Sequence, residues 1–452
     1  MKKVYIARET APEALRTEDL QRLIDRCAEE GGGQVRLMAG AYVSGTLYLK
    51  SGVELYLDAG AVLRGSADWR DYSNRCPQPT MVEGVPHWYN ALITAVDARD
   101  VAILGEGMID GVDCLDRGGE QGFRGPHAVF FYNCDNVRVQ GVSVVRAACY
   151  ALMFEQCRGI RVTNVSIYGG QDGLRFGACR DAEVRGCDIR SGDDCIGGSG
   201  NADVRIYDTA LNTPGGAVLQ FSSKKLHVKN CVFWATGLYP AVFRDDKRYS
   251  LSYMGVCAGM NYLYPEGEDS DDWLFEDVRF ENVELLFRYE KDMYGRKNIP
   301  LHRVVFDRVE AVNLVFPCQI TGEPDCPIDL TIKNSAFECA EGDGRCERLF
   351  FRGSDFAALT LENVALSGYA DRPFELERVG SVTLRNVRVE RRLTGACLDG
   401  VSAGRVTVVP GEPATHLGRF VKPGVTSLYL PGDASEEFRG PLPWIAKPER
   451  WA

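Results

Sequence analysis

The chain has 452 residues, a formal net charge of −11 and 45% hydrophobic residues. Lys and Arg are scattered among the acids, which argues against a nucleic-acid partner. No run of about 18 apolar residues occurs, so no membrane-spanning helix is expected.

The first nine residues, Met1 to Glu9, carry no apolar run of signal-peptide length. The 16 cysteines form neither a CxxC motif nor a paired framework. They read as reduced thiols of a cytoplasmic protein. Residues 17–30 predict the one clear helix. Thr17 is a suitable N-cap, Glu18 and Asp19 favour the positive end of the dipole, and Gly31-Gly32-Gly33 ends it. Leu20, Leu23, Ile24 and Cys27 form its apolar stripe, which suits a cap over the open end of a stacked sheet. Strands are expected from Gln34 to Leu37, Val53 to Leu57 and Val101 to Leu104.

A repeat then sets in. Segments starting at Asn136, Gly159, Asp181, Asp203 and Lys225 follow one another at intervals of 23, 22, 22 and 22 residues. Each is rich in Val and Ile with alternating polar residues, which reads as short strands, and Gly, Asn and Asp punctuate the corners. Asn282, Arg308, Asn334, Asn363 and Asn386 extend the pattern at looser intervals. A repeat of this length built from strands predicts an all-β parallel β-helix, a solenoid in which each coil touches only its neighbours. That escapes the usual splitting of long chains and suggests a single domain over 1–452, with coils over 34–390 and terminal strands and a tail over 391–452. Cys134, Cys157 and Cys179 share the repeat spacing and are expected as an interior stack. Three segments interrupt the rhythm. Residues 70–91 contain His87, Trp88 and Tyr89; residues 111–127 contain Arg117, Arg124 and His127; residues 238–273 contain Arg244, Lys247, Arg248, Tyr249 and Trp273. Long excursions from a rigid scaffold commonly carry function.

The chemistry concentrates in Gln171-Asp172-Gly173 and Gly192-Asp193-Asp194-Cys195. Asp172 and Asp194 are 22 residues apart, one repeat length. Stacked strands lie about 4.8 Å apart, so Asp172, Asp193 and Asp194 are expected to share one patch. Adjacent strand residues point to opposite faces, so the chain must bend at Asp193 and Asp194. Glycosidic cleavage needs one carboxyl as proton donor and another to activate water or attack. Crowded carboxylates keep a proton near neutral pH, and they titrate together. A calcium-dependent lyase is the competing use of such acids.

With these motifs the chain resembles glycoside hydrolase family 28, the polygalacturonase-like enzymes. The resemblance runs through Gly40-Ala41-Tyr42, Gly60-Ala61-Val62-Leu63-Arg64-Gly65 and Gly105-Glu106-Gly107-Met108-Ile109-Asp110-Gly111 to the two acidic motifs. It implies a right-handed parallel β-helix and inverting hydrolysis of a carbohydrate without a cofactor or metal. By carry-over, Asp193 is the general acid, and Asp172 and Asp194 hold the water. The family's Gly-His-Gly motif appears as Pro214-Gly215-Gly216-Ala217, without its histidine, and its Arg-x-Lys motif has no clear counterpart. Arg175 stands where the family pattern has a second acid. These departures point to a divergent glycosidase acting on another sugar. Candidate substrate contacts are Trp88, His127, Gln171, Arg175, Gln220, Arg244, Arg248 and Tyr249. Aromatic and basic excursions that close one end of the groove predict removal of terminal sugars from short oligosaccharides. A β-helix lyase, epimerase or fructotransferase, and a non-catalytic carbohydrate-binding protein, remain open alternatives, as does a homo-oligomer.

Overall fold

The computed structural model describes residues 2–9, 13–80, 82–214, 216–235, 252–259, 261, 269–293, 296–340, 342–370, 372–389 and 401–409. Almost all regular structure is parallel strand, as the repeat predicts. The chain divides into two compact units between Gly197 and Gly198.

In the first unit each coil contributes to three strand faces. On one face Val35, Leu55, Ile103, Val139, Val162 and Val184 stand in register from strand to strand. On a second, Tyr42, Leu63, Ile109, Val144, Ile167 and Ile189 do the same. On the third, Leu47, Ile93, Val129, Leu152 and Leu174 are aligned. All of these side chains are buried. Burying one such side chain is worth about 1.5–3 kcal/mol, so stacking like on like builds a continuous core. Phe131, Phe154 and Phe176 extend it as a column of stacked rings with centroids 5.6 and 5.4 Å apart. Cys134, Cys157 and Cys179 form the expected interior column; all are buried free thiols. Their sulfurs lie within hydrogen-bond reach of backbone carbonyls, such as that of Phe131 for Cys157 (3.4 Å).

The helix spans Thr17–Glu29 and buries Leu20, Ile24 and Cys27 against the first strands of the coil. Its N-cap is Arg16, with no side-chain capping bond. Thr17, expected in that role, instead accepts bonds from Gly45 N (2.8 Å) and Ser44 Oγ (3.3 Å), tying the helix to a coil corner. A strand the sequence pattern does not reveal, Val4–Ala7, precedes the helix and pairs with Gly33–Leu37. Its Val4 and Ile6 are half exposed, so it lacks the buried alternation of an interior strand.

The second unit repeats the architecture. Leu226, Trp273, Val304, Leu330, Leu359, Val382 and Val406 stand in register. Trp273, assigned from sequence to a long excursion, is therefore a core residue, and its indole nitrogen donates to Ser223 O at 2.7 Å. Ser252–Ala258, also within that span, is a paired strand. Residues 236–251 and the tail after Val409 lie outside the described residues.

The corner residues hold left-handed backbone: φ is 55° at Asn282 and Arg308, 52° at Asn334, 55° at Asn363 and 50° at Asn386. Asn tolerates this region better than most residues. These five extend the sequence repeat at looser intervals, but they do not all share one corner. Asn282 bonds Asn313, whereas Arg308 bonds Asp277, so they occupy different corners. Asn386, Asn363, Asn334 and Asp307 then form a chain of amide bonds of 2.8–3.0 Å.

Asn363→Ala loses two such bonds and forces Ala into left-handed backbone. Each bond is worth about 0.5–1.5 kcal/mol and the backbone about 1–2 kcal/mol. Denaturant unfolding should show a loss of about 2–5 kcal/mol for Asn363→Ala and a smaller one for Asn363→Gly. Equal losses would mean that the backbone conformation contributes nothing.

Candidate active site

The two acidic motifs come together through the ladder. Asp172 opens the strand Asp172–Gly177 and pairs in register with Tyr150. Gly173 N donates to Asp194 O at 2.9 Å and Leu174 N to Cys195 O at 2.8 Å, which stands Asp172 beside Asp194 on the next coil. Gly173 is required for this approach: a Cβ there would lie 2.3 Å from Cys195 O. The bend demanded at Asp193 and Asp194 is present. Both precede the strand that begins at Ile196, and Gly192 N and Asp193 N both donate to the single carbonyl of Gln171, at 2.9 and 2.8 Å. Ser191 Oγ donates to Asp193 O at 2.8 Å and fixes the turn. Strand alternation therefore does not apply there, and both side chains share one site. Asp172, Asp193 and Asp194 each offer a carboxylate oxygen within 4.8 Å of the others, and all are buried.

The centre also contains groups that the acidic motifs do not reveal. Arg124, 4% exposed, reaches in from the segment before His127. Its Nη1 donates to Asp172 Oδ2 and its Nη2 to Asp193 Oδ2, the latter at 2.5 Å. Glu120 Oε2 lies 3.7 Å from Arg124 Nε. Sequence reading puts Arg124 in a wall of the groove; the structure puts it against the acids. Its available signal was the basic and aromatic content of residues 111–127.

Burial is the largest influence on these carboxyls. It pushes Asp172 up to about 7, with Arg124 opposing and Asp193 adding to the rise. Asp193 is raised by burial against the pull of Arg124, and Glu120 is raised by burial too. Mutual repulsion, expected to dominate, is secondary. The Arg124 guanidinium, which burial disfavours, is held charged by Asp172 and Asp193.

Beside the acids stands an aromatic cluster. His127 Nδ1 accepts from Tyr150 N at 3.2 Å, and Trp88 packs edge-on to His127 with ring centroids 5.2 Å apart. Burial depresses His127 to about 3, so its imidazole is neutral. Trp88 belongs to an apolar group with Val85, Tyr89, Phe130 and Met153, so this part of the first excursion is packed onto the coil. Gln171 is fully buried, and neither of its amide atoms has a hydrogen-bond partner. Arg175 is also buried, and its Nε donates to Glu155 Oε1 at 2.8 Å beneath the site. Gln220 lies half buried in the strand Ala217–Lys229 of the second unit, paired with Cys257. Arg244, Arg248, Tyr249 and Gly215 lie outside the described residues.

A family profile described as "Right handed beta helix region" matches residues 125–250, the stretch that holds all three acids. A probable polygalacturonase of Vitis vinifera is 25% identical over 192 residues, covering 40% of this chain and 39% of that protein. Over that stretch the chain is similar in sequence to polygalacturonases. It spans well under half the length of this curated relative. Two solved polygalacturonase-like structures share the fold. The family 28 exopolygalacturonase of Yersinia enterocolitica superposes with a TM-score of 0.63 at 18% identity, covering 86% of this chain and 79% of that one. The exopolygalacturonase of Thermotoga maritima gives 0.63 at 18% identity, covering 81% and 93%. The right-handed parallel β-helix implied by the motifs is thus the fold of this chain.

A carboxyl whose folded-state pKa is raised stabilises the fold below its unfolded value and loses that contribution as pH rises through the folded value. For Asp172 the window runs from 3.8 to about 7. Relative to Asp172→Asn, the wild type should lose stability across this window on going from acid to neutral pH. Parallel pH–stability curves for the two proteins would contradict the raised value.

Proposed function

We propose that the chain is a glycoside hydrolase that cleaves an oligosaccharide by aspartate acid/base chemistry. Asp193 donates the proton to the leaving oxygen, and Asp172 and Asp194 hold the attacking water. The observation that carries this reading is three buried carboxyls within 4.8 Å of one another, of which Asp193 and Asp172 are both raised by burial. Such a centre retains a proton at neutral pH while keeping a carboxylate, the two states hydrolysis needs. The polygalacturonase relatives support the same class. The unmet amide of Gln171 and the indole nitrogen of Trp88 offer bonding capacity that protein atoms leave unused, which suits sugar hydroxyls.

The lyase alternative needs a cation among these acids. The guanidinium of Arg124 already lies against two of them, which favours the hydrolase. The Trp88–His127–Tyr150 cluster packed beside the acids supports a closed groove end and exo action on short substrates. Free thiols throughout the described cysteines support a reducing, cytoplasmic setting, where short oligosaccharides are the accessible substrates.

Asp193→Asn should reduce turnover by about 10²–10⁴-fold with an unchanged fold. The assay is a panel of nitrophenyl glycosides and defined oligosaccharides, followed by product chromatography. Turnover at the wild-type level would remove Asp193 from the mechanism. Exo action predicts monosaccharide from the earliest time points on a polymer and on a trimer; mid-sized fragments without monosaccharide would contradict it.

Stereochemistry separates two readings. Inverting enzymes space their carboxyls about 6.5–9.5 Å apart and retaining ones about 5–5.5 Å. Family resemblance implies inversion, and carboxylate oxygens within 4.8 Å of one another are closer than that spacing. We adopt inversion, because Arg124 bonds Asp172 and Asp193 through one guanidinium and so draws their oxygens together. Proton NMR of the first-formed anomer should show inversion; the retained anomer would make one aspartate a nucleophile.

A further inference from the structure

We propose that Arg124 is the positioning residue of this centre, its planar guanidinium holding the carboxylates of Asp172 and Asp193 in fixed relation. The kinetic part of this inference rests on the hydrolase reading; the structural part does not. Within the acidic motifs the Asp193 carboxylate meets the backbone amide of Asp194, but that bond does not tie it to Asp172. Asp172 comes from a strand and Asp193 from a turn one coil away. Arg124 bonds one oxygen of each through separate nitrogens. A guanidinium presents such donors in a rigid fork, which an ammonium cannot.

The Arg124 backbone is itself held. Arg124 N donates to Glu120 O at 3.1 Å. The neighbouring Gly125 sits so close to the next turn that a Cβ would lie 1.8 Å from Cys114 O. At Gly119 a Cβ would lie 1.8 Å from Arg124 O. Neither position accepts a side chain without moving the segment that delivers the guanidinium. The groups facing Arg124 are Asp172 and Asp193, Glu120 on its own segment, and Cys149, whose sulfur is 4.0 Å from Nη1. Arg175, His127 and Tyr150 are further charged and titratable groups around the centre. With one cation facing three carboxyls in a buried space, the arrangement lowers the cost of ionising two of them and leaves a proton for the rest.

The fork also accounts for the tight spacing of the acids. A substrate that admits a water between Asp172 and Asp193 has to loosen one arm of the fork.

Three full-length variants test this: Arg124→Met, Arg124→Lys and Gly125→Ala. Titration of ¹³C-labelled aspartate carboxyls by NMR reads the clamp without any substrate. Arg124→Met should move the joint titration of Asp172 and Asp193 upward by about one unit or more, and Arg124→Lys should recover most of that shift. On whichever glycoside the wild type turns over fastest, Arg124→Met should lower kcat by about 10²-fold and raise the pH optimum. KM should stay within about threefold. Arg124→Lys should restore the pH profile but not the full rate, because charge returns without the fork. Gly125→Ala keeps the guanidinium and displaces it, so it should lower kcat in the same direction. An unshifted carboxyl titration in folded Arg124→Met would overturn the proposal. So would a rise in KM alone, which would make Arg124 a substrate contact. If no glycoside is turned over by the wild type, the hydrolase reading fails while the titration still decides the clamp.

Discussion

The parallel backbone ladder is the constraint on which everything else rests. Its hydrogen bonds fix each coil one strand spacing from the next, about 4.8 Å, and so force residues one repeat apart to lie side by side. For aliphatic positions this is favourable without further provision: Val139 lands beside Val162 and Val162 beside Val184. For charged positions the same rule is costly. It brings Asp172 beside Asp194 in a space nearly closed to water, and there burial moves proton affinities further than charge–charge repulsion does. The core and the candidate site are consequences of one geometry applied to different side chains.

That shared origin explains what the sequence makes legible. The repeat intervals give the ladder, and the ladder gives the cysteine column and the meeting of Asp172 with Asp194. What escapes is whatever the ladder does not dictate. Val4–Ala7 pairs through its backbone but leaves Val4 and Ile6 half exposed, so its composition lacks the periodic signature of an interior strand. Trp273 looks like an excursion residue because the insertion before it obscures the coil length, yet it stacks between Leu226 and Val304. Arg124 approaches from an irregular segment 48 residues before Asp172, and no local spacing connects them. Asn282 and Arg308 show the converse error, in which a plausible interval joins residues on different corners.

Polar bonding divides the molecule into two kinds of region. At the corners, amides bond one another in a row, from Asn386 back to Asp307. Around the acids the pattern breaks. Gln171 has both amide atoms unmatched, and the carbonyl of the same residue serves two backbone donors. Departures from local consistency of this kind are expected where a fold serves chemistry instead of its own stability. Here a cation from another segment, Arg124, lies against two of the acids.

The turn from Ser191 to Cys195 has a wider consequence. Because Asp193 and Asp194 lie outside any strand, their directions are set by two amides sharing one carbonyl, while Asp172 takes its direction from the pleat. Coil length thus acts as a chemical parameter. A single residue gained or lost between Tyr150 and Asp172 would rotate that carboxylate to the opposite side of its strand, whereas the same change in an outlying corner would leave the centre intact. Coil geometry thus constrains the count of residues in the arcs between successive acidic positions more tightly than the length of corner segments such as the one that carries Arg124.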